Sequence, residues 1–288
     1  MITSESQYYC SVTSEEHGEA IFATASHCKF FVLVADNRPL PASISKAEAL
    51  KDKDWLLPLL KEVNARKGKL LLIRSDEPLI YFVDHFNNRY CTHNYSNGFN
   101  AGVLWDDENA SWQNHPFFLV CTNGKKDKCC SLKGLPVFKA LKKVDTFNAF
   151  QCSHVGGDRF AANVLLMPAG IYYGRIKMED VPALISATEQ NQILLKNLRG
   201  RSKYNFLHQA ADYFLRKHFN DFSIEAETEW LAFHQHADYY EATAKFKGQK
   251  LRLKFQRIAA NDQYKLTCNS SIAEPHYQYQ LLQLIHVQ

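Results

Sequence analysis

The sequence predicts a mixed α/β protein in three parts: an N-terminal α/β domain over residues 1–112, a second α/β domain over 113–200, and an α+β region over 201–288. Two patterns predict this. Strand-like and helix-like segments alternate twice up to residue 200, which is the pattern of α/β layers. From Ile224 onward the chain changes to Val/Ile/Tyr/Phe-rich segments with hairpin signals. A length of 288 residues suits two or three domains, and 46% hydrophobic against 22% charged residues suits a chain with a buried core.

Taken in order, Cys28–Ala35 (CKFFVLVA) reads as a buried strand. Ser45 is placed as a helix start. The stretch Lys46–Lys67 carries Ala49, Leu56, Leu59, Leu60 and Val63 at helical spacing, with Pro58 expected to break or kink it. Lys69–Arg74 and Leu79–Asp84 follow as strands around a Ser-Asp-Glu-Pro turn. Thr92–His115, rich in Asn and Gly, reads as a connector. Phe117–Val120 is then a short apolar strand running into Cys121, followed by a loop to Ser131, a helix from Pro136 to Lys143 and a strand ending near Cys152. Gly156-Gly157 mark a turn, Arg159–Asn163 opens a short helix, and Val164–Met167 with Ile171–Ile176 form a hairpin. This second β-α-β-(α)-β-β order is that of a thioredoxin-like fold. Helical spacing returns over Met178–Leu195 and Tyr204–His218. Antiparallel strands over Tyr239–Phe246 and Lys250–Ile258 then meet at a tight Lys247-Gly248-Gln249 hairpin.

Composition narrows the function. A net charge of +4 with scattered basic residues argues against nucleic acid as a partner. No apolar run approaches the roughly 18–20 residues of a membrane span. Met1–Cys10 is polar and lacks a secretory pattern, so a cytoplasmic location is expected. In a reducing compartment, eight cysteines point to metal or redox chemistry before disulfides. Cys10, Cys28, Cys91 and Cys268 are scattered and read as ordinary thiols, whereas Cys121, Cys129, Cys130 and Cys152 fall within about thirty residues.

The chemistry-bearing strings are CTNGKKDKCC from Cys121 to Cys130 and CSHVGGDRFAAN from Cys152 to Asn163. Cys121 stands at a strand end and Cys130 across a loop, while Cys152 and His154 share one face at the end of the next strand. A parallel pair brings both ends to the edge where α/β proteins hold ligands. Thiolates with an imidazole suit an iron–sulfur cluster or zinc. Lys125, Lys126 and Lys128 are expected to lower the thiol pKa values. Cys129, adjacent to Cys130, is expected to be a bystander. Arg199-Gly200-Arg201-Ser202 reads as a solvated loop before a helix capped by Ser202, and His234 and His236 as surface residues.

These strings, Cys121–Pro136 (CTNGKKDKCCSLKGLP) and Gln151–Arg175 (QCSHVGGDRFAANVLLMPAGIYYGR), resemble the sucrase/ferredoxin-like family with its thioredoxin-like ferredoxin modules. Weaker similarity runs through Cys10-Ser11, Ala23-Thr24-Ala25 and Leu198–Ser202. Members share a cysteine, an aspartate six positions on and a second cysteine nine positions on, which fall on Cys121, Asp127 and Cys130. In eukaryotic members two histidines four apart complete a 2Fe-2S site. The first falls on His154 and the second on Asp158, where this sequence departs. The resemblance thus implies a 2Fe-2S cluster on Cys121, Cys130 and His154. The fourth ligand is open between Cys152, favoured for its softness, and Asp158. It further implies an electron carrier serving an unknown redox partner protein rather than a stand-alone enzyme. The alternative is a thiol-redox or zinc-binding thioredoxin-like protein without iron.

Overall fold

A computed structural model describes residues 7–46, 50–106 and 108–287; Ala49 lies outside them. The architecture is mixed α/β, built on two sheets with five α-helices among the described residues. The N-terminal part contributes α1 (Cys10–Glu16), β1 (Phe31–Ala35), α2 (Leu56–Ala65), β2 (Lys69–Ile73), β3 (Leu79–Asp84) and β4 (Arg89–Asn94). Pro58 does not break the helix among the described residues: it sits in the first turn of α2, where no carbonyl awaits its missing N–H. Leu56, Leu59 and Val63 face the sheet from it. The polar Arg89–Asn94 segment, read partly as connector, is an edge strand paired antiparallel with β3.

The central part contributes β5 (Phe117–Cys121), α3 (Lys128–Lys142), β6 (Asn148–Cys152), β7 (Val164–Met167), β8 (Ile171–Tyr173), α4 (Val181–Glu189) and β9 (Leu198–Arg201). α3 begins eight residues before the predicted Pro136. Asp127 caps it by accepting a 2.9 Å hydrogen bond from the Cys129 N–H. Pro136 is tolerated inside the helix beside the exposed Leu132 and Leu135, where water can take the freed carbonyl.

β4-β3-β1-β2-β6-β5-β7-β8-β9 form one nine-stranded sheet. The boundary expected at residue 112 therefore falls between strands of a shared sheet. The join is β2 against β6, with Ile73 opposite Cys152, Arg74 N–H donating to Gln151 O (2.9 Å) and Ser153 N–H to Leu72 O (2.8 Å). Both faces are buried. Along β5, Phe117, Leu119 and Cys121 enter one core, while Phe118 and Val120 pack with Val137, Leu141, Leu184 and Ile185 of α3 and α4 in the other.

The C-terminal region holds α5 (Phe206–Phe219) and a four-stranded antiparallel sheet, β10 (Glu229–Gln235), β11 (Tyr240–Phe246), β12 (Gln249–Tyr264) and β13 (Glu274–His286), in sequential order. Ala210, Ala211, Phe214 and Leu215 of α5 pack on Ala242, Phe246, Leu253 and Phe255. Lys247 and Gly248, with φ of 51° and 74°, make the turn of the expected tight hairpin, and Gln249 already belongs to β12.

Candidate metal centre

β5 and β6 run parallel in register, with Cys121 beside Cys152 at their C-terminal ends. α3 then starts close to Cys121, because Gly134 packs on the Cys121 carbonyl where a Cβ has no room. This places Cys130, in the first turn, over the end of β5. β6 leads out through Ser153, whose hydroxyl accepts from Leu72 N–H at 3.0 Å. After His154 the chain reverses at Gly156 and Gly157, with φ of 93° and 77°, a conformation that favours glycine. The reversal returns Asp158 to His154.

The result is a tight group. The Cys121 and Cys130 sulfurs and a ring nitrogen of His154 lie within 4.8 Å of one another. Asp158 joins two of them: its Oδ1 accepts from the Cys130 thiol at 3.2 Å and lies 3.0 Å from His154 Nδ1. That imidazole nitrogen is buried and makes no well-directed hydrogen bond. Cys152 is outside the group, fully buried in the core with Leu119 and Tyr172. The cysteines have no exposure, whereas the His154 side chain is 25% exposed, opening on a cleft lined by Ile44, Leu60 and Lys126.

The electrostatics come from within the group. The Cys130 thiol, against the opposing effect of burial and with help from His154, lowers Cys121 to about 5. Cys130 is raised in turn by Cys121 and by burial. Burial works against the charged His154, but Asp158 and Cys121 raise it to about 9. Burial likewise opposes ionisation of Asp158, yet His154 holds its pKa down. Burial raises Cys152 strongly. The lysines are less involved than expected. Lys125 and Lys126 are exposed, Lys126 acts on Asp158, and Lys128 lies 4.6 Å over the Tyr9 ring. Two thiols, an imidazole and a carboxylate form a donor set suited to a thiophilic metal.

Some of the supporting residues are not where the sequence reading put them. Arg199 lies on β9, only 2% exposed, and not in a solvated loop. It donates to Gly156 O (2.8 Å), Asn163 Oδ1 (2.7 Å), Thr24 O (2.6 Å) and Thr24 Oγ1 (3.1 Å). Asn163 holds Gly157 O in turn, at 2.9 Å. These two residues fix the glycine turn between His154 and Asp158. The helix expected to start at Ser202 is capped instead by Asn205, which accepts from His208 N–H. His234 and His236 are exposed. Cys129, read as a bystander, points away from Cys130 toward Cys10 and Cys268.

Similar proteins bear on this site. Two curated relatives are both called "Altered inheritance of mitochondria protein 32". The one from Meyerozyma guilliermondii is 27% identical over 89 residues, 27% of this chain and 32% of that protein. The one from Candida glabrata is 21% identical over 140 residues, 43% of this chain and 45% of that protein. The chain thus spans under half the length of these relatives. Their name overturns the cytoplasmic placement, since lack of a secretory pattern does not choose among the remaining compartments. No helix among the described residues is long and apolar enough to cross a membrane. A thioredoxin-like 2Fe-2S ferredoxin from Aquifex aeolicus aligns at 16% identity and a TM-score of 0.26, over 29% of this chain and 89% of that one. A cysteine-to-serine variant of it aligns at 18% identity and a TM-score of 0.27, over 30% of this chain and 99% of that one. The family match is broader: it covers residues 2–200, including β5, α3, β6 and every donor of the group above, and the chain belongs to the sucrase/ferredoxin-like family.

Proposed function

We propose that the protein transfers single electrons, and that it holds a 2Fe-2S cluster with Cys121, Cys130, His154 and Asp158. One observation carries this reading: two buried sulfurs and an imidazole nitrogen converge within 4.8 Å at the end of a parallel strand pair. Asp158 is assigned in preference to Cys152 because it already touches Cys130 and His154. The parallel β5–β6 pair, antiparallel β7 and β8, and helices α3 and α4 support a thioredoxin-like reading of residues 113–200.

When bound, such a cluster supplies the one-electron couple, and replacing thiolate with imidazole raises its potential relative to an all-cysteine site. The protein's own part is position, burial and docking. Arg199 and Asn163 hold the turn that sets His154 against Asp158. The partly exposed His154 edge faces the surface on the side of Lys126. Exposed Lys125 and Lys126 suit an acidic redox partner, whose electron-transfer rate is then expected to fall with added salt.

The test is optical and electron paramagnetic resonance spectroscopy of anaerobically purified protein, before and after dithionite. A brown protein with a low-average-g signal on reduction is expected. A colourless protein that stays silent after iron and sulfide reconstitution refutes the reading and leaves zinc or thiol chemistry.

A further inference from the structure

Cys129 and Cys130 are neighbours in sequence but face different ways. Successive helix residues are turned by about 100°, and α3 uses this to send Cys130 to the centre described above and Cys129 to the opposite side. There it meets two of the thiols that had looked incidental. Cys129 Sγ lies 3.3 Å from Cys268 Sγ, and Cys268 Sγ lies 3.5 Å from Cys10 Sγ. Both Asp127 carboxylate oxygens lie 3.8 Å from Cys10 Sγ. One donor atom from each of Cys10, Asp127, Cys129 and Cys268 falls within 4.8 Å of all the others. Cys10, Asp127 and Cys129 are at most 1% exposed, and only Cys268 reaches solvent.

We propose that Cys10, Asp127, Cys129 and Cys268 form a second metal site, which binds zinc. Four donors close a tetrahedron with no open position, the arrangement of a structural rather than a catalytic zinc. Zn–S bonds of 2.3 Å set tetrahedral sulfur separations of roughly 3.8 Å, a few tenths beyond those here and far from the roughly 2.05 Å of a disulfide. Polar groups already face Asp127 and the sulfurs. Asp127 accepts from Cys129 N–H (2.9 Å) and Cys268 N–H (2.7 Å), and Cys10 N–H points at Cys268 Sγ (3.4 Å). The positive end of α3 lies alongside, and the buried Ser11 hydroxyl lies beside Cys129. On binding, three thiols release their protons to solvent as the metal–sulfur bonds form. The ion ties α1, the start of α3 and the β12–β13 loop, segments 258 and 139 residues apart by their cysteines.

The test is metal analysis of the full chain purified under reducing conditions, with cobalt(II) exchanged for zinc as a spectroscopic probe. One zinc per chain is expected. It persists in Cys121→Ser and Cys130→Ser, is lost from Cys10→Ser and Cys268→Ser, and gives thiolate-to-cobalt charge transfer on exchange. Asp127→Asn keeps an N-capping side chain, so it tests the ligand without removing the cap; a zinc affinity lower by at least about tenfold is expected. Zinc retained by Cys268→Ser, zinc lost with Cys121→Ser, iron at this site, an intramolecular disulfide, or no uptake of added zinc overturns the proposal. Zinc loss from Cys10→Ser and Cys268→Ser reads this site alone, whatever Cys121 and Cys130 hold.

Discussion

Replacing Arg199 by Met removes the guanidinium that holds the turn between His154 and Asp158 while keeping a flexible apolar stem. The guanidinium supplies a buried hydrogen bond to Asn163 Oδ1 and part-buried ones to Gly156 O and Thr24 O. A buried acceptor stripped of its donor loses about 1–3 kcal/mol. The low end applies at each of the three, because Met also removes a charge whose burial lowers the Arg199 pKa to about 10 and so opposes folding. The expected loss is about 3 kcal/mol, or about 5 °C in Tm for a chain of this size. Thermal melts of metal-free protein under reducing conditions read this directly, and hydrogen exchange at the amides of residues 155–160 should show the turn opening first. Arg199→Lys should recover little, since one ammonium cannot reproduce the planar fork. A Tm for Arg199→Met within about 2 °C of the parent would refute the reasoning, because three bare acceptors cannot be so nearly neutral.

Gly134→Ala gains helix propensity but drives a methyl into the Cys121 carbonyl, so a net loss of about 1–2 kcal/mol is expected; unchanged urea midpoints count against the close approach. Asp36 is buried, which alone would raise its pKa, but Arg38 (2.6 Å) and Lys53 (3.0 Å) hold it well below the usual carboxylate range. Its stabilisation is thus complete above the unfolded value of 3.8 and is lost as pH falls through the lower folded value. The stability gap between the parent and Asp36→Asn should accordingly be constant near neutrality and shrink as pH falls below 3.8; a gap that widens in acid contradicts the assignment. Under the proposed ligand set, Cys152→Ala keeps the visible and paramagnetic resonance spectra while Asp158→Ala alters or abolishes them. The reverse pattern makes Cys152 the ligand.

The convergence of Cys121, Cys130 and His154 was legible because its determinants are local. An apolar strand running into Cys121, a second strand ending at Cys152 and a glycine pair after His154 dictate where each donor goes. What escaped notice depends on distant partners or on misread polarity. The start of α3 was masked by Gly134 and Pro136, although Asp127 two residues before Cys129 is a capping signal. β4 carries His93 and Asn94 and is a strand because β3 offers it an edge, not because its residues favour one. Arg199 and Arg201 read as surface, yet both are buried by donating to carbonyls of other segments. Cys10 and Cys268 meet across nearly the whole chain, and no spacing rule connects residues so far apart.

The pairing of β2 with β6 also governs how the protein could be divided. A fragment starting at residue 113 would retain every donor of the first centre. It would also bare the side of β6 that Leu72 and Arg74 now cover, and an uncovered strand edge recruits other chains. The N-terminal strands therefore act as an edge guard for the Cys121, Cys130 and His154 group. A minimal fragment carrying that group would need the edge replaced before it could stay monomeric.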